Sequence, residues 1–308
     1  MNFKPTVRID FSDFAGINKT DNFFTSVLSR RYRIELSDKP DLLIYSKDGH
    51  LNRLYNCKKL FWSGETIYPD FTRCDYALTC YYIDDPRHLR LPYYVIGCEC
   101  SPESLLKFPN EVDRVLHEDR KFCSFVVSNG NPKRARRRID FFHKLSEYKR
   151  IDSGGRALNN IGMQLSPGGH AKHDFIKNYK FNLCFENKET LGYTTEKLVE
   201  AAWARCVPIY WGNPLVARDF NPKSFLCLND FASEEAFIEK IIEVDQDESQ
   251  YRALLSEPFF NDNKINEFYS HERLLDFFEK VFDDQTTPVS KRRKLINTGR
   301  WRLAKMMN

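Results

Sequence analysis

Residues 179–213 read YKFNLCFENKETLGYTTEKLVEAAWARCVPIYWGN. The order is strand, loop, helix, strand. Residues 179–185 form a short apolar run of strand length, ending in Glu186 and Asn187, and a loop with Gly192 leads to a helix start near Thr194, Thr195, Glu196 and Lys197. Leu198, Ala201, Ala202 and Cys206 then recur at spacings of 3 and 4, one face of a helix. Residues 207–211, VPIYW, make the next buried strand, stopped by Gly212. Such a βαβ unit places ligands beyond the carboxyl ends of its strands. Its helix N-terminus offers N–H groups and a positive dipole end to an anion such as a diphosphate. Lys197 sits in the first turn, where the dipole does not favour a cation, so a bound anion would explain it. The plainer alternative is an ordinary unit with Thr195 as N-cap and a solvated Lys197.

Working outward, residues 7–14, 41–45, 59–63 and 76–80 read as strands, with a helix over 22–31 between the first two. The alternation predicts a first α/β domain over 1–118. A clean strand at 122–128 opens a second, over 119–285, and a helix over 136–148 follows with Ile139, Phe142 and Leu145 at spacing 3. Ser153-Gly154-Gly155 and Ser166-Pro167-Gly168-Gly169 read as turns. Further helices are expected at 233–243 and 265–282, and residues 286–308 form a basic tail.

The chain has 308 residues, 42% of them apolar, and a net charge of +4. Length and composition suit two globular domains. No apolar run is long enough to span a bilayer. The opening MNFKPTVRIDFSDF lacks the layout of a signal peptide, which predicts an intact start and a cytoplasmic location. Seven basic residues between 291 and 305 account for the positive balance, so the body is slightly acidic. The tail has three readings: a solvated disordered end, a helix on anionic lipid, and a nucleic-acid contact through basic residues and Trp301. The acidic body argues against the last as a main function. The nine cysteines include no C-x-x-C pair, and Cys184, Cys206 and Cys227 lie in apolar segments. Buried reduced thiols fit better than disulfides. A zinc site from His88, Cys98 and Cys100 has poor spacing.

The combination of FEN at 185–187, YTTEK at 193–197 and VPIYWG at 207–212 resembles glycosyltransferase family 10, the α1,3/4-fucosyltransferases, in its bacterial form. WSGE at 62–65, FVVSN at 125–129 and NPKSF at 221–225 extend the likeness over most of residues 58–280. The resemblance implies a GT-B fold, two Rossmann-like α/β domains facing across a cleft. It implies inverting transfer of fucose from GDP-fucose to an N-acetyllactosamine-type glycan, by α1,3 linkage. Glu65 is the candidate base, projecting from the strand end into the cleft, where partial burial would raise its pKa; a solvated turn glutamate is the plain alternative. Lys197 and an arginine from the run at 134–138 would meet the diphosphate, with Arg138 the match and Arg136 the fallback. An arginine fork suits phosphate oxygens. Glu196 resembles the ribose-binding carboxylate, and Asn187 and Tyr193 match positions that hold phosphate and sugar. Glu186 would support the loop or help with the fucose. With that much positive charge no metal is required, and a divalent ion would at most stimulate; Asp245-Gln246-Asp247 reads as a solvated helix end. A related transferase using another nucleotide sugar, or a non-catalytic nucleotide-binding protein, are the alternatives.

Overall fold

The computed structural model describes residues 4–108, 110–131, 135–165 and 169–291. Most of the basic tail, and with it the lipid reading, lies outside the described residues. So do Lys133 and Arg134.

The chain divides into two compact units, one built from the described residues up to Leu91 together with those from Ser270 onward, the other Pro92–Tyr269. In the first, six parallel strands stand in the order β2-β1-β3-β4-β5-β6. They are β1 (Thr6–Ser12), β2 (Arg33–Leu36), β3 (Leu42–Tyr45), β4 (Lys58–Trp62), β5 (Tyr76–Thr79) and β6 (His88–Arg90), with helix α1 (Phe23–Leu28) after β1. Asn22 caps α1 with its side chain, and Thr25 returns a bond to the Asn22 N–H, a capping box that fixes the helix start.

The second unit opens with α2 (Tyr94–Gly97) and α3 (Glu111–Leu116). Then come β7 (Lys121–Phe125), α4 (Arg136–Ser146), β8 (Ile151–Ser153), α5 (Gly169–Ile176), β9 (Tyr179–Phe185), α6 (Glu196–Trp203), β10 (Val207–Trp211), β11 (Leu226–Cys227), α7 (Glu234–Gln246) and α8 (Glu248–Ser256). The five strands are parallel in the order β11-β10-β9-β7-β8. β9 shows why it lies in the middle: six of its seven residues are buried, as a parallel strand covered on both faces requires. Phe181, Leu183 and Phe185 face one core with Phe141 and Phe142 of α4 and Phe237 and Ile241 of α7. Cys184 faces the other, with Leu198, Val199 and Ala201 of α6 and Phe220, Phe259 and Phe260.

The last helix, α9 (His271–Asp283), belongs to the first unit. It starts later than the 265–282 expected, because Ser270 caps it by accepting from the Arg273 N–H. The boundary also differs from the one read in the sequence. It falls at Leu91/Pro92 rather than near Glu118, since Tyr94 and Leu105 pack into the core of α6. Residue 169, read as a turn, begins α5. No helix among the described residues is long and apolar enough to cross a membrane.

Candidate functional site

Strand order reverses at β7: β8 lies on one side, and β9, β10 and β11 on the other. The crevice beyond the carboxyl ends of strands at such a switch is where open α/β sheets hold ligands. A pocket of about 260 Å³ lies there, lined by Val126, Val127, Ser128 and Asn129 after β7, Gly155 after β8 and Asn187 after β9. Arg138, Lys172, Glu196 and Lys197 supply its charges from α4, α5 and α6, and Tyr93, just before α2, and Gly97, at its end, complete the lining. Gly155 is required by close approach: a Cβ there would lie 2.2 Å from the carbonyl oxygen of Val127.

Four residues singled out in the sequence, Arg138, Asn187, Glu196 and Lys197, line this one pocket. The arginine run separates by helical period. Arg138 shares the buried face of α4 with Phe141, Phe142 and Leu145. Arg136 points outward to Asp140, and Arg137 lies over the Trp211 ring and donates to Glu234. Arg138 is 1% exposed. Its Nη1 donates to Asn187 Oδ1 at 2.5 Å and its Nη2 to the Asn129 carbonyl, while Nε has no hydrogen-bond partner among the described residues. Burial pulls its pKa down against the pull of Glu186, Tyr193 and Glu196, yet a guanidinium remains charged.

The start of α6 differs from expectation. Thr195 takes the N-cap position, but its side chain does not cap the helix. Both its N–H and its hydroxyl donate to the Glu186 carboxylate, at 2.7 and 2.9 Å. Lys197 Nζ donates to Glu186 Oε2 at 3.0 Å and to Thr195 Oγ1 at 2.7 Å, and lies 3.5 Å from Glu196 Oε1. The anion at this helix end is therefore the protein's own Glu186. Burial raises the Glu186 pKa despite Lys197. Burial also pushes Glu196 up, but Lys197 and then Lys172 outweigh it and leave the carboxyl below its ordinary value. Burial works against the Lys197 charge, and Glu186 and Glu196 more than restore it, so its pKa is raised. Glu186 and Tyr193, both buried, do not line the pocket. Glu186 supports the loop from behind.

Glu65 belongs to the first unit, on the loop after β4, and its residue is exposed rather than partly buried. Its N–H donates to Ser63 Oγ at 3.1 Å. His88 is a core residue: Nε2 bonds Thr79 Oγ1 at 2.8 Å, and burial lowers its pKa to about 4. Asp245 is not solvated. Its side chain is 2% exposed between Lys149 and Lys180, and Asp247 caps α8. The reading from sequence missed Lys172, Ser128 and Asn129. The two residues of the FVVSN motif at a strand's carboxyl end carried a usable signal; Lys172 carried none.

Residues 9–97 match the α-(1,3)-fucosyltransferase FucT N-terminal domain, and residues 116–261 match the C-terminal region of glycosyltransferase family 10 (fucosyltransferase). The α-(1,3)-fucosyltransferase FucT of Helicobacter pylori is 31% identical over 92% of this chain and 67% of its own length. The rat α-(1,3)-fucosyltransferase 4 is 31% identical over 47% of this chain and 33% of its own. A crystal structure of an α1,3-fucosyltransferase with GDP-fucose superposes with a TM-score of 0.77 at 28% identity, covering 93% of each chain. An Anabaena protein, HepE, in complex with UDP-glucose shares the fold alone, at a TM-score of 0.54 and 6% identity over 89% of this chain and 99% of its own. The fold is of the GT-B type, and the two matched regions cover both parallel sheets. A pocket walled by Arg138 and Lys197 at the switch point, carried on that fold and on that degree of identity, places the chain in glycosyltransferase family 10, the fucosyltransferases.

Proposed function

We propose that this protein transfers L-fucose from GDP-fucose to a hydroxyl of an N-acetylglucosamine-containing glycan, forming an α1,3 linkage with inversion. The observation that carries this reading is the gathering of Arg138, Asn187, Glu196 and Lys197 around one pocket at the sheet's switch point. Likeness to a fucosyltransferase solved with GDP-fucose supports the donor, and the matched regions support the linkage.

In this reading the Glu196 carboxylate, ionised beside Lys197, accepts from the ribose hydroxyls. Lys197 and Arg138 stabilise the negative charge that grows on the departing diphosphate, in a site preorganised by burial. Asn187 holds Arg138 in place through its Oδ1. Glu65 takes the proton from the acceptor hydroxyl as the new bond forms, on the face of the sugar opposite the leaving group. With cations supplied by the protein, a metal is not needed to neutralise the diphosphate. Activity is expected to survive EDTA; complete loss restored by manganese would overturn that part.

The test is GDP release from GDP-fucose with N-acetyllactosamine, in wild type and Glu65→Ala. Acceptor-dependent release that falls about a hundredfold or more in the variant, the scale for losing a general base, supports donor, acceptor and base together. Release from a different nucleotide sugar only would overturn the donor assignment. An unchanged rate in Glu65→Ala would overturn the base.

A further inference from the structure

The donor pocket holds a third cation. Lys172, on α5, lines it beside Glu196 and Lys197 and is 6% exposed. Its Nζ pairs with the Glu200 carboxylate of α6, itself 4% exposed. Glu200 stands one helical turn after Glu196, so α6 presents two carboxylates on one face with Lys172 close to both. Cys98, Glu196 and Lys197 are the other titratable groups that feel Glu200.

The charges of this cluster balance: Arg138, Lys172 and Lys197 against Glu186, Glu196 and Glu200. Lys172 and Lys197 are each already paired with a carboxylate, so an entering diphosphate competes with one of these for its cation. Glu186 is held by Thr195 and Lys197, and Glu196 by Lys197. Glu200 depends on Lys172, and its Oε2 has no other hydrogen-bond partner among the described residues. We propose that Lys172 binds the donor diphosphate, and that Glu200, losing its partner, takes up a proton from solvent. The exchange balances in protons and partners: the diphosphate takes over the ion pair with Lys172, and one proton from solvent neutralises the Glu200 carboxyl left behind. Burial raises the Glu200 carboxyl to about 7, with Lys172 opposing and Glu196 adding, so little work is needed to complete the protonation near neutral pH. A group that gains a proton on binding makes affinity rise as pH falls, from above 7 down to that value. The terminal phosphate stays largely dianionic over the same range.

This inference rests on the pocket being a nucleoside diphosphate site. It is tested by measuring affinities of the full chain for GDP and for guanosine, between pH 7 and 9. Lys172→Met alone leaves a buried carboxylate unpaired, which can prevent folding. The double variant Lys172→Met with Glu200→Gln removes both charges and is the one to use. GDP affinity is expected to fall at least about tenfold in the double variant, the scale of a charge-assisted bond, with guanosine affinity nearly unchanged. Lys172→Arg should recover part of the loss. Wild type should bind GDP more weakly as pH rises from 7 to 9, and Glu200→Gln should lose that dependence. An equal fall for GDP and guanosine, or unchanged GDP binding, overturns the role of Lys172. The same pH dependence in Glu200→Gln as in wild type overturns the proton uptake. If wild type ignores GDP but binds another nucleoside diphosphate, the donor assignment fails while the role of Lys172 is decided by that nucleotide against its nucleoside. If it binds none, both fail.

Discussion

Arg138 shows what one residue's position on a helix decides. It is three, four and seven residues before Phe141, Phe142 and Leu145, so the apolar stripe that buries α4 carries the guanidinium in with it. Two of its N–H groups hold Asn187 and the Asn129 carbonyl, fixing the plane of the fork and leaving others for a ligand. A lysine has one nitrogen at the end of a flexible stem and cannot hold both partners and an anion in that plane. Arg138→Lys is therefore expected to lower kcat/KM with GDP-fucose by about a hundredfold, the loss of one or two charge-assisted bonds, while Arg136→Lys changes it little. Steady-state GDP release on both variants checks this, and equal losses would show that the run acts as a diffuse positive patch. The family resemblance preferred Arg138 and kept Arg136 as the fallback; it is the folded helix that buries the one and leaves the other exposed. Lys172 was illegible for a different reason. It sits in HAKH, after a cluster of glycine and proline that reads as a turn, and nothing in its spacing ties it to Glu200, 28 residues on.

At the scale of elements, the two strands of the central βαβ unit were legible to the residue because their patterns are strong: β9 and β10 have the bounds read from the sequence, whereas the helical face read through Cys206 ends sooner, α6 stopping at Trp203. Even Pro208 fits there, since the short β11 pairs only with Ile209 and Tyr210 and asks no N–H of it. Strands of two to four residues at the sheet edges, β2, β6, β8 and β11, lack the length to show a period. The end of β8 illustrates the cost. Ser153-Gly154-Gly155 was read as a turn, and it is both the strand's last residue and the pocket wall. A methyl group on Gly155 would meet the Val127 oxygen and nitrogen at 2.2 and 2.4 Å, atoms of backbone that cannot swing aside. Gly155→Ala must push the exit of β7 away from β8, moving Ser128 and Asn129 and with them the carbonyl that holds Arg138. Overpacking of this kind costs about 1–3 kcal/mol. The expected outcome is a lower Tm together with weaker GDP binding, read by thermal melts with and without nucleotide. A variant with wild-type Tm and affinity would mean that the loop has slack at this point.

For the whole molecule, contiguous sequence and contiguous structure part company. The expected boundary near Glu118 came from the clean strand signal at 122–128, and short segments before it gave no sign of where they pack. In the structure Tyr94 and Leu105 join the core on α6, together with Phe220, Phe259 and Phe260, so residues from 92 onward complete the second unit. The first unit is closed by chain from the far end. Helix α9 buries Leu274, Leu275, Phe277, Phe278 and Val281. Just beyond it, Asp284 pairs with Lys58 and accepts from the Tyr76 hydroxyl at 2.7 Å, and Arg31 reaches Glu272, Asp276 and Glu279 on the helix. Five apolar side chains buried at about 1.5–3 kcal/mol each are comparable with the whole net stability of a domain, about 5–15 kcal/mol. A fragment of residues 1–118 lacks all of them and is expected not to fold. A fragment of residues 92–269 keeps both of its cores and the whole pocket lining, and should unfold cooperatively and bind GDP without transferring fucose. Residues 119–285 would lose Tyr93, Gly97 and Leu105 and should bind more weakly than 92–269, as far as they fold at all. Denaturation curves and GDP titrations on the three fragments decide the matter. Cooperative folding of 1–118 alone would mean that α9 covers a core already able to stand without it.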